Sequence, residues 1–256
     1  MKVSIITVCF NSAKTIRETI ESVLSQTYTN IEYIIVDGAS KDGTLDIISE
    51  YEGRIAKVIS EPDRGIYDAM NKGIAVSTGD IIGILNSDDF YESSDAIACL
   101  VDQFARYPTA DVIYGDVLFC EAEDINAVTR IYRAKHFKAW KLRFGWMPPH
   151  PASFVKRSAY ETVGTYSLDY KISADYEFFV RMLYTRKLNY RWMDKVLVRM
   201  RQGGVSTSGL KSSLLLNREI VNACKNNGLY TNLVFVLTKI PFKLVELINL
   251  SKWQRP

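Results

Sequence analysis

Two adjacent carboxylates, Asp88 and Asp89, follow the apolar run at residues 81–85. A run of this kind predicts a short strand with both faces buried, as in a parallel sheet. Carboxylates at the end of a buried strand repel each other and lose hydration, so a cation should compensate them. Mg²⁺ or Mn²⁺ is bound in this way by one or two carboxylates, with water or substrate phosphate oxygens as the other ligands. An ordinary Asp-rich turn is the alternative, and the rest of the chain decides between the two.

A further carboxylate, Asp175, lies near the start of a predicted helix at residues 172–182. Ala174, Phe178 and Met182 share one apolar face of this helix, which predicts that the helix is buried. The dipole at a helix N-terminus stabilises the charged form of a carboxylate, so position alone predicts a capping residue and a weak base. A weak base can still assist a hydroxyl nucleophile when it is well positioned, because the hydroxyl needs only partial deprotonation as its bond forms.

Strands alternate with helices through the first hundred residues. Strands are predicted at residues 3–9, 32–36, 54–60 and 81–85, and the helices between and after them at 13–24, 44–51, 65–77 and 94–107. This alternation predicts a parallel sheet with right-handed crossovers, so the strand ends at 7–11, 37–38 and 86–89 converge on one edge. Ligands of open α/β sheets bind at that edge, which makes it a nucleotide-sized crevice. No GxGxxG follows the first strand and no GxxxxGK occurs anywhere, so phosphates must be held by a metal and side chains.

The second half of the chain is predicted to contain strands at 111–119, 128–132 and 190–199 and a helix at 210–226. Residues 135–144 are interpreted as a loop over the site, and the proline-rich residues 147–154 as a bend that leads into a strand. The last segment, 231–252, has an apolar stripe at helical spacing, with Lys239, Lys243 and Lys252 among its polar positions. Core packing is the default for such a stripe, while dimerisation and attachment to a membrane surface would use the same residues.

The charge is distributed unevenly along the 256 residues. Residues 1–128 hold 9 Lys and Arg against 22 Asp and Glu, whereas residues 129–256 hold 23 against 7. A basic second half favours an anionic partner, which could be a phosphate-bearing substrate, an anionic membrane surface or nucleic acid. Simple attraction between the two halves is the alternative. Hydrophobic residues make up 47% of the chain, which is ample for one large domain or a domain with an appendage.

The four cysteines show no CxxC spacing, and Cys9 and Cys99 lie in apolar stretches. We therefore expect buried thiols in a reducing compartment. The first ten residues enter a strand without the apolar region and cleavage site of a signal peptide, and no run of about 18 apolar residues predicts a membrane span. The expected location is the cytoplasm, with attachment to the inner face of the plasma membrane as an open alternative.

Two stretches carry a family resemblance: SIITVCFNSAKTIRETIESVLSQTYTNIEYIIVDGASKDGT at residues 4–44 and DRGIYDAMNKGIAVSTGDIIGILNSDDFY at 63–91. They resemble the nucleotide-binding half of family 2 glycosyltransferases, in particular bacterial enzymes that build O-antigen, capsule and exopolysaccharide repeat units. The resemblance implies the GT-A fold, an α/β fold with a mainly parallel, Rossmann-like sheet flanked by helices. On this basis residues 1–206 form the glycosyltransferase domain, with a nucleotide-sugar half at 1–106 and an acceptor half at 107–206, and residues 207–256 form a helical C-terminal extension.

The resemblance assigns roles on the nucleotide side. Thr7, Val8 and Asn11 match the loop that lines the nucleotide, and Asp37 matches the carboxylate that accepts hydrogen bonds from the base, usually uracil. Arg64 lies near the position of a basic nucleotide contact in some relatives.

Asp88 and Asp89 match the end of the family's DxD motif, which reaches the ribose and the metal, so the resemblance implies Mn²⁺ or Mg²⁺ as the cofactor. Asn86 stands where the first Asp of that motif usually is. Asparagine offers a carbonyl oxygen without a charge, so we expect weaker metal binding but not its loss.

On the acceptor side, the resemblance matches Asp175 to the family's catalytic base, with Ala174 in place of the Glu of its Glu-Asp motif. His150 matches a histidine that faces the reaction centre, with an ordinary structural histidine as the alternative. The segment from Arg199 to Ser206 contains Gly203-Gly204, and it matches a turn that borders the diphosphate in relatives. Arg199, Arg201 and Ser206 are candidate phosphate contacts, although a plain turn fits equally well.

The predicted function is the metal-dependent, inverting transfer of a sugar from a nucleotide sugar, expected to be a UDP-sugar. The expected acceptor is a hydroxyl of a glycan or of a polyprenyl-diphosphate-linked glycan. A nucleotidyltransferase should carry a Gly-, Arg- or Lys-rich phosphate loop near the first strand, and FNSAKTI at residues 10–16 is not one. A non-catalytic sugar-nucleotide-binding or scaffold protein also fits the fold. Nucleic-acid binding fits least, because the basic residues form no recognition helix.

Overall fold

The computed structural model describes residues 1–203 and 210–239. Its first four strands pair in the order β3-β2-β1-β4, and all three pairings are parallel. They are β1 (Val3–Cys9), β2 (Ile31–Asp37), β3 (Lys57–Ser60) and β4 (Ile81–Asn86). Every residue of β1 is buried, because helices cover both faces of the sheet. The strands and crossovers predicted for this half are thus confirmed.

The sheet continues beyond β4 in the order β8-β6-β9-β5, and β7 pairs with β6 outside this path. These strands are β5 (Asp89–Tyr91), β6 (Val112–Cys120), β7 (Val128–Tyr132), β8 (Ser153–Lys156) and β9 (Tyr190–Arg201). β8 runs antiparallel to both β4 and β6, and β5 runs antiparallel to β9. β6 and β9 pair in parallel. The mainly parallel sheet that the resemblance implies is thus confirmed, with its antiparallel pairings in this second part.

Strand β5 was not predicted: the sequence ended the fourth strand at residue 85 and placed Asp88 and Asp89 in the polar segment after it. Asp89 instead begins β5 and lies opposite Met200 of β9. A strand of three residues is too short for its periodicity to be recognised. The pairing of β5 with β9 therefore fixes the position of Asp89, the second carboxylate of the acidic pair.

The helices form two apolar layers, one on each face of the sheet. They are α1 (Ile16–Leu24), α2 (Thr44–Ser49), α3 (Ile66–Val76), α4 (Ala96–Arg106), α5 (Arg157–Val163), α6 (Ala174–Phe179), α7 (Leu210–Asn226) and α8 (Leu233–Leu237). Helix α6 continues into a π-helical turn at Val180–Thr185. Of these helices, α5 was not predicted.

The described part of the predicted C-terminal extension shares its core with the acceptor half. Ile220 and Cys224 of α7 are buried in the same apolar cluster as Tyr176 and Phe178 of α6. Helix α8 covers only a short part of the helix predicted at 231–252, and residues 240–256, with Lys243 and Lys252, lie outside the described residues.

The segment at 135–144, interpreted from sequence as a loop over the site, contains a 3₁₀ helix at Ala139–Phe144. Its Leu142 carbonyl accepts a hydrogen bond from the Tyr176 hydroxyl of α6, and Phe144 stacks on Phe235 of α8 with ring centroids 5.2 Å apart. The segment is thus anchored to the helices of the second half.

All four thiols are free. Cys9 is buried as predicted, but Cys99 is only half-buried. Among the helices in the described ranges, none has both the length and the apolar character to cross a membrane.

Candidate active site

The loops that follow β1, β2 and β4 are tied to one another at the carboxyl edge of the sheet. The Ser12 hydroxyl lies 2.8 Å from the Ser87 hydroxyl, which joins the first loop to the third. The Asn11 side-chain oxygen accepts from the Lys41 N–H at 2.9 Å, and the Asn11 N–H donates to the Ser40 hydroxyl at 2.7 Å. The three predicted strand ends therefore form one crevice.

Two residues of this crevice adopt left-handed backbone conformations. Asn11 has φ 50° and Ala39 has φ 63°. Asparagine tolerates this region, whereas alanine is strained in it. Strain of this kind persists only where surrounding contacts impose it, and it clusters at functional sites. The cross-loop hydrogen bonds of Asn11 provide such contacts here.

Asp37, the predicted base-binding carboxylate, is fully buried at the end of β2. Its Oδ2 accepts from the Ser40 N–H at 3.0 Å and from the Ser60 hydroxyl at 2.7 Å, and its Oδ1 accepts from the Ser40 hydroxyl. The Cys9 thiol lies 3.6 Å from Oδ1. Protein donors thus occupy both oxygens, so a nucleobase would have to replace one of them.

Thr7 and Val8 are buried in β1, and the Tyr33 hydroxyl donates to Thr7 Oγ1 at 3.1 Å. Their side chains belong to the packed faces of the sheet, and β1 is paired with β2 and β4 at both positions, so their contact with a nucleotide stays a prediction. Arg64 is exposed at the start of α3 and pairs with Asp68 at 3.2 Å.

Two further residues at this edge were missed by the sequence analysis. Phe10 directly follows the buried strand β1 yet is 62% exposed. Asp63 lies so close to Gly38 that a Cβ on Gly38 would be 2.5 Å from the Asp63 carboxylate. An aromatic residue at the end of a buried strand, before a polar loop, was the available signal for Phe10. No local pattern indicated Asp63.

The acidic pair lies in a partly buried corner of this edge. Asp89 is 1% exposed, and its Oδ2 accepts from the Asn86 side-chain amide at 3.1 Å. Burial raises the pKa of Asp88, and burial together with the charge of Asp88 raises the pKa of Asp89. The ionised forms of both groups are therefore destabilised by their surroundings.

Arg201 is the cation that the structure provides for this pair. Its guanidinium donates to the Asp88 carbonyl oxygen at 2.8 Å, and its charge lowers the pKa of both carboxyls against the effect of burial. Arg201 is itself buried and lies 3.9 Å from Glu18. The sequence analysis predicted Arg201 as a diphosphate contact but did not foresee that it approaches the acidic pair.

The residues of this corner fit a hard divalent cation. The Asn86 side-chain oxygen is buried without a hydrogen-bond partner. Beside it are the two carboxylates, so the available donors are oxygens, which Mg²⁺ and Mn²⁺ prefer. Within residues 1–203 and 210–239, no group of three or more His, Cys, Asp or Glu side chains could hold a metal alone. Water and substrate oxygens would have to complete the coordination.

The other candidate phosphate contacts are not brought together. The Arg199 guanidinium binds both carboxylate oxygens of Glu92 at 2.7 Å and the Ile125 carbonyl oxygen at 2.5 Å. Its role as a phosphate contact stays a prediction. Ser206 lies outside the described residues.

Asp175 occupies the second position of α6 with one carboxylate oxygen held and the other free. The Tyr176 N–H donates to Oδ1 at 2.8 Å, and the Tyr67 hydroxyl lies 3.1 Å from Oδ1 and 2.6 Å from the Ile172 carbonyl oxygen. No group in the described part of the chain donates to Oδ2. Burial raises the pKa of Asp175 although hydrogen bonds oppose it. The weak base expected at a helix start is therefore wrong, because desolvation outweighs the helix terminus.

His150 lies beside Asp175. The ring is buried, its Nε2 is 2.8 Å from the Tyr166 hydroxyl, and burial lowers the pKa of His150, which favours the neutral imidazole. The charge of Asp175 raises the pKa of His150, and His150 lowers that of Asp175. Tyr67 and Tyr166 complete this cluster with ring centroids 5.8 Å apart. Neither tyrosine was predicted, since each is an ordinary core aromatic in its local pattern.

Strand register brings His150 to the edge that holds the acidic pair. β8 is antiparallel to β4 with Phe154 opposite Gly83. Residues before Phe154 therefore run alongside the end of β4, next to Asn86–Asp89. His150, with the buried carboxylate of Asp175 beside it, thus lies at the edge that holds the oxygen-lined corner.

The sequence profile of glycosyl transferase family 2 matches residues 4–164. The chain belongs to this family. Over 259 aligned residues it is 27% identical to a PGL/p-HBAD biosynthesis glycosyltransferase of Mycobacterium bovis, covering 98% of this chain and 97% of the relative.

Solved structures show the same GT-A fold. TarS of S. aureus (residues 1–349), in complex with UDP-GlcNAc, superposes with a TM-score of 0.70 at 17% identity, covering 90% of this chain and 68% of that one. The mannosyltransferase PcManGT of Pyrobaculum calidifontis, in complex with GDP-Man and Mn²⁺, gives a TM-score of 0.65 at 20% identity, covering 88% and 63%.

Replacement of Tyr67 by phenylalanine tests the contact at Asp175. The hydroxyl lowers the pKa of this carboxyl, so we expect Tyr67→Phe to raise the pKa further. Carbon-13 NMR titration of aspartate-labelled protein measures it, with Asp175→Asn to assign the signal. Tyr160→Phe is the matched control, because its hydroxyl faces Tyr166 at 3.5 Å. An unchanged pKa in Tyr67→Phe would contradict the contact.

Proposed function

We propose that this protein transfers a sugar from a UDP-sugar to a hydroxyl of a glycan or lipid-linked glycan, with inversion at the anomeric carbon. The observation that carries the proposal is the free Oδ2 of the buried base Asp175 at the edge that also holds Asp88 and Asp89. The family membership gives the general reaction, glycosyl transfer. The choice of base, the cation and UDP go beyond it and rest on the residues of this edge. Bacterial surface polysaccharide synthesis is the proposed setting.

The donor is proposed to bind in the crevice formed by the loops after β1, β2 and β4. Thr7, Val8, Asn11 and Arg64 would line the nucleotide, and Asp37 would receive the base by exchanging a hydrogen bond with a serine. The exposed ring of Phe10 is available to stack on a planar base. Asp88 would reach the ribose.

A divalent cation, Mn²⁺ or Mg²⁺, is proposed to be held by Asp88 and Asp89 with the side-chain oxygen of Asn86. Bound there, it would offset negative charge that develops on the diphosphate leaving group. The orphaned Asn86 oxygen and the raised pKa of both carboxyls support this assignment. Arg201 supplies a further positive charge in the same corner.

The chemistry proposed for the chain's own residues is a single displacement. Asp175 Oδ2 takes the proton of the acceptor hydroxyl while the hydroxyl oxygen forms its bond to the anomeric carbon. The bond from that carbon to the diphosphate breaks on the opposite face, so the configuration inverts and the nucleoside diphosphate leaves. A raised pKa makes Asp175 a better base at neutral pH. The neutral imidazole of His150, held by Tyr166, is placed to contact the acceptor.

The base is tested by Asp175→Asn. This change removes proton acceptance but keeps the shape of the side chain, so transfer should fall by about 10²- to 10⁴-fold, the usual contribution of a positioned base. Release of UDP from a panel of UDP-sugars measures transfer, and calorimetry with UDP measures donor-site binding, which should be retained.

Asp169→Asn, an exposed carboxylate on the loop before α6, is the control and should leave transfer unchanged. Near-normal turnover in Asp175→Asn would return Asp175 to a capping role. UDP binding without transfer to any acceptor in the wild-type protein would favour the non-catalytic alternative.

The metal site is tested by Asp88→Asn and Asp89→Asn. Loss of a residue that only hydrogen-bonds a metal ligand lowers metal affinity by about 10- to 100-fold. Loss of a ligand itself should therefore weaken Mn²⁺-dependent UDP binding at least as much. Asn86→Asp adds a charge at the orphaned oxygen and should leave this binding intact or strengthen it. Asp102→Asn, on the surface of α4, is the control. Calorimetry that finds UDP binding indifferent to Mn²⁺ and to both changes would refute the site.

An anionic membrane surface is the proposed partner of an exposed aromatic patch, here called the α8 patch. Trp140 is 55% exposed and Val234 is 71% exposed. Ring contacts connect Trp140 to Phe235, the neighbour of Val234 in the chain. Their centroid distances are 5.9 Å from Trp140 to Phe144, 5.2 Å from Phe144 to Phe235 and 6.0 Å from Phe235 to Tyr230. Exposed tryptophan, tyrosine and aliphatic residues together are typical of side chains that enter a lipid interface.

The charges around the α8 patch are complementary to an anionic bilayer. Lys138, Lys141 and Arg143 flank Trp140 in the chain, and Lys141 Nζ lies 5.8 Å from the centre of the Trp140 ring. Each basic residue near an anionic surface contributes about 1 kcal/mol. Lys239, which the sequence analysis placed among the polar positions of its helix, is only 7% exposed and lies against Gly145. The patch thus replaces Lys239 as the proposed contact.

Vesicle sedimentation tests the α8 patch. A Trp140→Ser/Val234→Ser variant should bind anionic vesicles about tenfold less than the wild type at low salt, because it loses two apolar groups from the interface. Val58→Ser, an exposed valine on edge strand β3, is the control. Wild-type protein that fails to bind anionic vesicles would exclude the proposal. If the wild type is a homodimer and the double variant is a monomer, the surface is a protein contact instead. The same follows if residues 240–256 prove to cover the patch.

A further inference from the structure

Glu219 of α7 is a buried carboxylate that binds the backbone just before Asp175. It is 7% exposed, and its two oxygens accept hydrogen bonds from three consecutive N–H groups. Oε1 accepts from Lys171 at 2.9 Å, and Oε2 accepts from Ile172 and Ser173, each at 3.0 Å. The Ser173 hydroxyl also lies 3.0 Å from Oε2. All four donors belong to the loop at 171–173, which leads into α6.

The opposite side of this loop is held by the nucleotide half of the protein. The Tyr67 hydroxyl of α3 lies 2.6 Å from the Ile172 carbonyl oxygen and 3.1 Å from Asp175 Oδ1. The peptide groups before Asp175 are therefore fixed from both sides, by Glu219 at their N–H groups and by Tyr67 at a carbonyl. Asp175 itself is two residues beyond the loop, so its Cα position follows from the conformation held there.

A carboxylate is the side chain suited to this task. Three backbone N–H groups converge on it, and an acceptor with two charged oxygens can satisfy all of them. Glutamine at this position would keep one acceptor oxygen but turn an N–H₂ group toward a backbone donor. The loop could then keep only part of its hydrogen bonds and would shift.

We propose that Glu219 is a positioning residue for catalysis, which sets the place of Asp175 through the loop at 171–173. The inference rests on the proposed role of Asp175 as the base. It assigns α7, which lies beyond the family match at residues 4–164, a part in the reaction. Glu219 does not touch the substrates in this arrangement and acts only through the base.

Glu219→Gln should lower kcat by about 10- to 100-fold and leave the KM for the donor and the affinity for UDP near their wild-type values. A displacement of about 1 Å at a reacting group can cost about 10²-fold in rate, which sets the upper end of this range. The donor crevice is formed by the loops after β1, β2 and β4, so a change at α7 does not reach it directly.

The control is Glu177→Gln, a second buried carboxylate on α6. The Glu177 carboxylate binds Arg181 at 2.8 Å and Asn227 at 3.1 Å. Residue 177 meets the described loop at 171–173 only through its backbone N–H, which donates to the Ser173 carbonyl oxygen at 2.9 Å and is kept in the variant. Both variants remove a buried charge, so both should lower the melting temperature. Only Glu219→Gln should lower kcat at a temperature where all proteins are folded.

A double-mutant cycle separates positioning from general damage. In an Asp175→Asn background the base is already absent, so Glu219→Gln should reduce the residual rate by less than twofold. A full 10- to 100-fold further loss in that background would overturn the inference, because it would show that Glu219 acts independently of Asp175. Wild-type kcat in Glu219→Gln would overturn it as well.

The cycle also separates this inference from the proposed function. If Asp175→Asn keeps its turnover, the role of Asp175 as the base and the positioning role of Glu219 are both refuted. If Asp175→Asn loses turnover and Glu219→Gln does not, only the positioning role is refuted. Should Glu219→Gln fail to fold, Ser173→Ala removes one donor of the same network and should lower kcat by about three- to tenfold in the presence of Asp175 only. An unchanged kcat in Ser173→Ala would then decide against the inference.

Discussion

Strand β8 lays the ring of Phe154 over Gly83 of β4, and this contact joins the two halves of the sheet. A Cβ on Gly83 would lie 2.3 Å from the ring, so only glycine permits the approach. The antiparallel register that results brings the turn containing His150 to the end of β4, beside the acidic pair. The position of the acceptor half relative to the nucleotide half therefore depends on one close-packed strand pairing.

The buried carboxylates of the site differ in the donors that compensate them. Asp37 is surrounded by serine donors, Glu219 by backbone N–H groups, and the acidic pair by one amide and the guanidinium of Arg201. Asp175 has its hydrogen bonds at one oxygen only, and its pKa is raised. A carboxylate whose oxygens all have donors is fixed in place, whereas one with an open acceptor position can take a ligand or a proton directly. Asp175 and the acidic pair have such open positions, and Asp37 could take a ligand only by exchanging a hydrogen bond.

The nucleotide half was predictable because local patterns determine it: buried strands alternate with amphipathic helices, and their ends must share an edge. Strand β5 was not predicted, since three residues carry no clear period. A strand was expected after the bend at 147–154, but the antiparallel pairing of this strand, β8, depends on partners far away in the chain. For the candidate site, the residue types indicated Asp88 and Asp89, whereas only the family resemblance singled out Asp175. The raised pKa of Asp175 and the position of Arg201 could not be predicted from the sequence, because both depend on tertiary packing.

The contact between Glu219 and residues 171–173 also bears on the order in which the protein assembles. Synthesis proceeds from the N-terminus, and the parts of a chain that are already made begin to fold first. The parallel strands and the nucleotide crevice are complete in sequence by residue 91, whereas the loop before Asp175 gains its partner only after α7 has been made and has docked. A chain still attached to the ribosome would thus possess the crevice before Asp175 is fixed in place. The position of Asp175 is then among the last features of the structure to form.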